Sequence, residues 1–126
     1  NNGERTMKQL KTTNPELIGL IRSLGKKARE NEAKIWRDIA EDLSRSRKNR
    51  IAVNISKLNR YTQKDENIVV PGKVLGTGKI DHPINIAAFA FSEQAQRKIL
   101  RAKGKCMLIS ELIEKNPKGS QVKIIG

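Results

Sequence analysis

Ile84-Asn85-Ile86-Ala87-Ala88-Phe89-Ala90-Phe91-Ser92-Glu93-Gln94-Ala95-Gln96-Arg97-Lys98-Ile99-Leu100-Arg101-Ala102 is the stretch that decides the fold class. Its first eight residues are almost continuously apolar, interrupted only by Asn85. That is far too short to span a bilayer, and the composition of the run reads as a strand buried on both faces. Ser92 is a helix N-cap residue, and a helix is expected from there to about Ala102. Strand is followed directly by helix.

Downstream the same order returns. Residues 105–109 read as a strand, and Ser110 is expected to cap a short helix over Glu111, Leu112 and Ile113. Asn116-Pro117 stops that helix, and residues 121–125 form a last strand. Upstream, Ile68-Val69-Val70 is a β-branched strand closed by Pro71-Gly72, after the turn Lys64-Asp65-Glu66-Asn67. Ile51 to Ile55 alternates as another short strand, with Ser56 able to cap a helical turn that ends at Tyr61.

Before these strands the period changes to that of a helix. Asn14 caps, Pro15 takes the first helical position and Glu16 suits the positive end of the dipole, with Leu17, Ile18, Leu20, Ile21, Leu24 and Ala28 on one stripe. Ile35, Trp36, Ile39, Ala40 and Leu43 mark a second helix over about residues 34–44. Trp36 lies on that stripe, so it is a core anchor before it is a base-stacking residue. The expected fold class is therefore α/β: one compact domain over residues 14–126, a helical pair followed by alternating short strands and helices with partly parallel pairing. Residues 1–13, with Arg5, Lys8 and Lys11 and little to bury, read as a basic tail that orders on its partner.

Lys and Arg number 26 against 13 Asp and Glu, a net charge of +13 on 126 residues. Such a chain repels itself unless a polyanion neutralises it. The excess is even: residues 1–66 carry 16 basic and 9 acidic side chains, residues 67–126 carry 10 and 4. A basic tail on a neutral enzyme would be lopsided, whereas this body meets phosphate on several faces. The densest run is Arg45, Arg47, Lys48 and Arg50, joined by Lys57 and Arg60 with no acid before Asp65. These are read as phosphate contacts, and Asn54 and Asn59 as hydrogen-bonding partners of sugar or base edges.

The segment Gly72 to Lys79 invites a nucleotide-binding reading and fails on spacing. A P-loop places its Gly-Lys pair five positions after the first glycine and then needs Ser or Thr. Here Gly72 lies six before Gly78, and Ile80 follows Lys79. The dinucleotide fingerprint fails at Asp81, which holds the third glycine position. Two uses of the loop stay open, a tight turn and a phosphate contact, and Lys73 and Lys79 on its flanks favour RNA. The single His82, beside Asp81 and Pro83, reads as a turn residue, and the single Cys106 as a small buried hydrophobe in a reducing compartment. Phe89 and Phe91, two apart on a strand, are expected to share one face in the core. No catalytic dyad, cofactor motif or metal-ligand spacing is present, and no small-molecule substrate or membrane is implied. A cytosolic protein that binds folded RNA by phosphate and shape is expected. A phosphate-handling enzyme and a DNA-binding regulator are the readings it competes with.

Val70-Pro71-Gly72-Lys73-Val74-Leu75-Gly76-Thr77-Gly78, continuing at Ile86 to Ser92, resembles the archaeal and eukaryotic large-subunit ribosomal protein family L eighteen-e, which is related to bacterial ribosomal protein L fifteen. The resemblance extends back through Val53 to Arg60 and Thr13-Asn14-Pro15, and forward to Asn116-Pro117-Lys118-Gly119-Ser120, nearly the whole chain from about Lys11. The chain's length suits the archaeal members, and Asn1 to Lys8 precede their usual beginning. The resemblance implies a compact α/β fold and a structural constituent of the large ribosomal subunit, cytoplasmic. It also implies large-subunit rRNA and neighbouring ribosomal proteins as partners, with no catalytic residue and no cofactor.

Overall fold

Ile86, Ala87 and Ala88 are all buried, and alternate ones face opposite layers: Ala87 joins one hydrophobic cluster, Ile86 and Ala88 the other. The strand that carries them is thus covered on both sides. The computed structural model describes residues 14–45 and 50–126. In chain order its elements are α1 (Pro15–Asn31), α2 (Lys34–Leu43), β1 (Ile51–Asn54), α3 (Ile55–Tyr61), β2 (Asn67–Leu75), β3 (Asn85–Phe91), α4 (Glu93–Arg101), β4 (Lys105–Leu108), α5 (Ile109–Lys115) and β5 (Lys123–Ile124). The strands order as β1-β2-β3-β4, with β5 also pairing β2. Every pairing is parallel, where only part was expected to be.

One face of the sheet carries α1, α2 and α5 around Leu17, Leu24, Trp36, Ile39, Leu43, Val69, Ala87 and Leu112. The other carries α3 and α4 around Ile55, Leu58, Ile68, Val74, Ile86, Ala95 and Ile99. The helical pair is as its periodicity predicts. Asn14 Oδ1 accepts from the amides of Glu16 and Leu17 at 2.9 and 3.4 Å. Trp36 is fully buried, and its indole N–H donates to Pro117 O at 2.6 Å, tying α2 to the exit of α5.

Four local expectations are corrected. Pro71-Gly72 does not end the strand, because β2 absorbs it as a bulge: Val70 pairs Ala88 and Lys73 pairs Ala90, so Pro71 and Gly72 together oppose Phe89. Gly72 also pairs Ile51, and a Cβ there would run into the Ile51 carbonyl oxygen. Ser56 and Ser110 do not cap their helices. Each helix starts two residues earlier than a serine cap would set it, at Ile55 and Ile109, running straight out of its strand. At α5 the Leu108 amide donates to the Glu111 carboxylate at 3.0 Å instead. Ser92 does cap α4, accepting from the Ala95 amide at 3.1 Å. The last strand is only Lys123–Ile124, against Ile68 and Val69. Phe89 and Phe91 are half-buried and pack against opposite clusters, because the bulge beside them interrupts the alternation at this end of the sheet.

Candidate nucleic-acid interface

Parallel neighbours β2 and β3 need a crossover, and here no helix makes it. Residues 76–84 cross without regular secondary structure along α3 and α4. A segment without secondary structure must find partners for its backbone groups elsewhere, and side chains of the flanking elements supply them. Asn54 Oδ1 accepts from the Thr77 amide at 3.3 Å and Asn59 Oδ1 from the Asp81 amide at 3.1 Å. The Ser56 amide, in the first turn of α3, donates to Thr77 O at 3.2 Å. Lys98 on α4 donates to Gly76 O at 2.7 Å and Gly78 O at 2.8 Å.

The glycines are required by this wedge. A Cβ at Gly76 would lie 2.8 Å from the Ala95 amide nitrogen and from Gln94. Gly78 adopts φ +102, and a Cβ there would collide with Ser56. Close packing against two helix starts therefore accounts for the glycine spacing that resembled a phosphate loop.

His82 sits at a bend of the crossover and is pinned from both sides: its Nδ1 lies 2.9 Å from Asp81 Oδ1 and its Nε2 2.7 Å from Thr62 Oγ1. Thr62 Oγ1 also lies 2.6 Å from Leu58 O. The His82 contact holds the Asp81 carboxyl below its usual range, so Asp81 is an anion at neutral pH. Cys106 is half-buried.

The residues expected to meet nucleic acid fall into three groups. Asn54, Asn59 and Lys79 gather at the crossover, with Lys73 exposed on β2 leading into it. Both asparagine oxygens are committed to the crossover backbone, a role their sequence context does not signal. Lys57 Nζ reaches the Gly126 backbone oxygen at 3.0 Å. Arg60 stands 5.8 Å from the centroid of the exposed Tyr61 ring at the end of α3. Arg45 follows α2 and Arg50 precedes β1. Arg45 is 3.0 Å from Asp42, and the buried Nε of Arg50 has no hydrogen-bond partner among the described residues. Arg47 and Lys48 lie outside the described residues, as does the 1–13 tail.

Lys98 and Arg101 were missed. They line an open depression with Lys79, Ile80 and Asp81 beside the crossover. Their i, i+3 spacing on α4 was the available signal, but only the fold brings Lys79 across to them. A second cationic depression, with Arg29, Lys34 and Arg37 around Glu32, lies where α1 turns into α2.

Little of the charge on the described residues is neutralised among them. Among the described residues, the lysines and arginines within 4.0 Å of a carboxylate are Lys26, Arg45, Arg97 and Lys123. No helix of the described residues is long and apolar enough to cross a membrane, and none of their acid, His and Cys side chains cluster as a metal site.

Residues 1–126 match the family described as "Ribosomal protein 60S L18 and 50S L18e". The chain belongs to the L18e family. Among its L18e relatives, the large ribosomal subunit protein eL18 of Methanoregula boonei is 56% identical over 113 residues, covering 90% of this chain and 93% of that protein. The eL18 of Methanothermobacter thermautotrophicus is 47% identical over 119 residues, covering 94% and 98%. The eL18 of Methanospirillum hungatei is 50% identical over 113 residues, covering 90% and 93%. The resemblance to L18e at residues 70–78 thus extends across the chain, and the α/β architecture is the one that resemblance implied.

Proposed function

We propose that this protein is a structural constituent of the large ribosomal subunit in the cytoplasm, holding large-subunit rRNA and adjoining ribosomal proteins through its cationic faces. The observation that carries the reading is the scarcity of acidic partners around its lysines and arginines. A folded body in which most of the described cations have no carboxylate within 4.0 Å is built to be paired from outside. Membership of L18e, whose relatives are named as large-subunit proteins, supports it. Arg45, Arg50, Lys57, Arg60, Lys73 and Lys79 are the phosphate contacts, with Arg47, Lys48 and the 1–13 segment joining them. Asn54 and Asn59 act beside these cations, their oxygens holding the crossover in place.

Filter binding to a large-subunit rRNA transcript across a salt series tests the proposal. About six phosphate contacts give a log-log slope of roughly −4 to −5, from about 0.7 to 0.9 per contact. A slope near zero, or preference for duplex DNA over folded rRNA in competition, overturns it.

A further inference from the structure

Resting on that rRNA-binding reading, we propose that the depression between residues 78–81 and the last turn of α4 seats one phosphate, with its sugar, of an RNA strand. Lys98 anchors it. Its ammonium is half-buried and has three N–H donors, of which Gly76 O and Gly78 O take two at 2.7 and 2.8 Å. The third has no protein acceptor within hydrogen-bond reach among the described residues. Nor does any carboxylate of those residues lie within 4.0 Å of Lys79, Lys98 or Arg101. A partly desolvated cation without a counter-charge is costly to hold, and an incoming phosphate removes that cost.

Asp81 is the one acid on the rim, and its carboxylate is turned to His82 Nδ1 at 2.9 Å. Ile80, Ala102 and the aliphatic stems of the cations give the depression an apolar floor. Its volume, about 550 Å³, exceeds what a bare oxyanion fills and suits a phosphate with its sugar. The depression is open to solvent, as a continuous strand requires. A free nucleotide shares the same chemistry, so the experiment separates the two sources.

Lys98 pins the crossover and is left unaltered. The double variant Lys79→Gln/Arg101→Gln removes two charges that make no described bond within the fold. Arg22→Gln/Lys26→Gln removes two from the exposed side of α1, on the opposite face of the sheet. Both are compared with the unaltered protein in filter binding to large-subunit rRNA over a salt series. The first is expected to weaken binding on the order of tenfold or more and to reduce the salt slope by about 1, the share of the one phosphate no longer neutralised. The second is expected to weaken it less than about threefold, the scale of a distant screened charge.

Equal losses in the two variants, with the unaltered protein binding normally, overturn the depression and leave the rRNA reading standing. An unaltered protein that does not bind rRNA at all overturns both. In a parallel NMR titration with ATP, saturation of the 78–81 amides at micromolar concentration, not displaced by rRNA, assigns the site to a free nucleotide and also overturns the proposal. Displacement of weakly bound ATP by rRNA supports it.

Discussion

Burial pushes the Cys106 thiol up to about 11 from an ordinary value of 9.0. The folded state therefore holds this proton more tightly than the unfolded chain does. The resulting contribution to stability is full below pH 9 and is lost as pH rises toward 11. The stability difference between the unaltered protein and Cys106→Ala, from urea unfolding at pH 8 and pH 10.5, is expected to shift against the unaltered protein at the higher pH. Alkylation by iodoacetamide at pH 8 is expected to run roughly tenfold or more slower in the folded protein than in urea, since the thiolate reacts. Equal rates would show a thiol open to solvent. At this scale the sequence was legible where a residue acts on its own neighbours: the Asn14 and Ser92 caps and the burial of Trp36 follow from local pattern. It was not legible where a side chain serves a distant backbone. Asn54 and Asn59 lie 23 and 22 residues from the amides they hold, and Lys98 lies 22 from Gly76, separations with no periodicity to read.

Strand β2 shows what an element tolerates when its neighbours accommodate it. Proline lacks a ladder donor and usually ends a strand, so Pro71-Gly72 read as a stop. The bulge opposite Phe89 lets β2 run on to Leu75, and Gly72 permits the close approach of β1. Gly72→Ala is expected to cost about 2–4 kcal/mol, because backbone must shift to relieve the collision with Ile51. Gly19→Ala, in open space on α1, is expected to stabilise by about 0.5–1 kcal/mol. Urea unfolding of both variants checks the pair, and similar effects of the two would contradict the bulge geometry. Helix starts were missed by two residues at α3 and α5 because strand passes into helix without a loop, so the capping serines sit inside the first turn.

For the molecule as a whole, a net charge of +13 with few ion pairs among the described residues leaves the free protein repelling itself. Its melting temperature is expected to rise by several degrees as salt goes from about 0.05 to 0.5 M, where the screening length falls below about 5 Å. Added salt therefore steadies the free protein while weakening its hold on RNA, and a melting temperature indifferent to salt would count against a self-repelling body. The architecture was legible at this scale because the alternation of strand and helix through the second half of the chain admits few arrangements. Which edge each strand occupies was not, since parallel pairing leaves no hairpin to read. Strands β1 and β5 lie along the same edge of β2, at its later and earlier residues respectively, and the Ile125 amide reaches Val69 O at 3.0 Å. During synthesis, Ile68 and Val69 emerge more than fifty residues before the segment that completes their flank. The nascent chain thus carries an open, β-branched flank until residues 123–125 have followed, and completion of the sheet is delayed to that later segment of the synthesis.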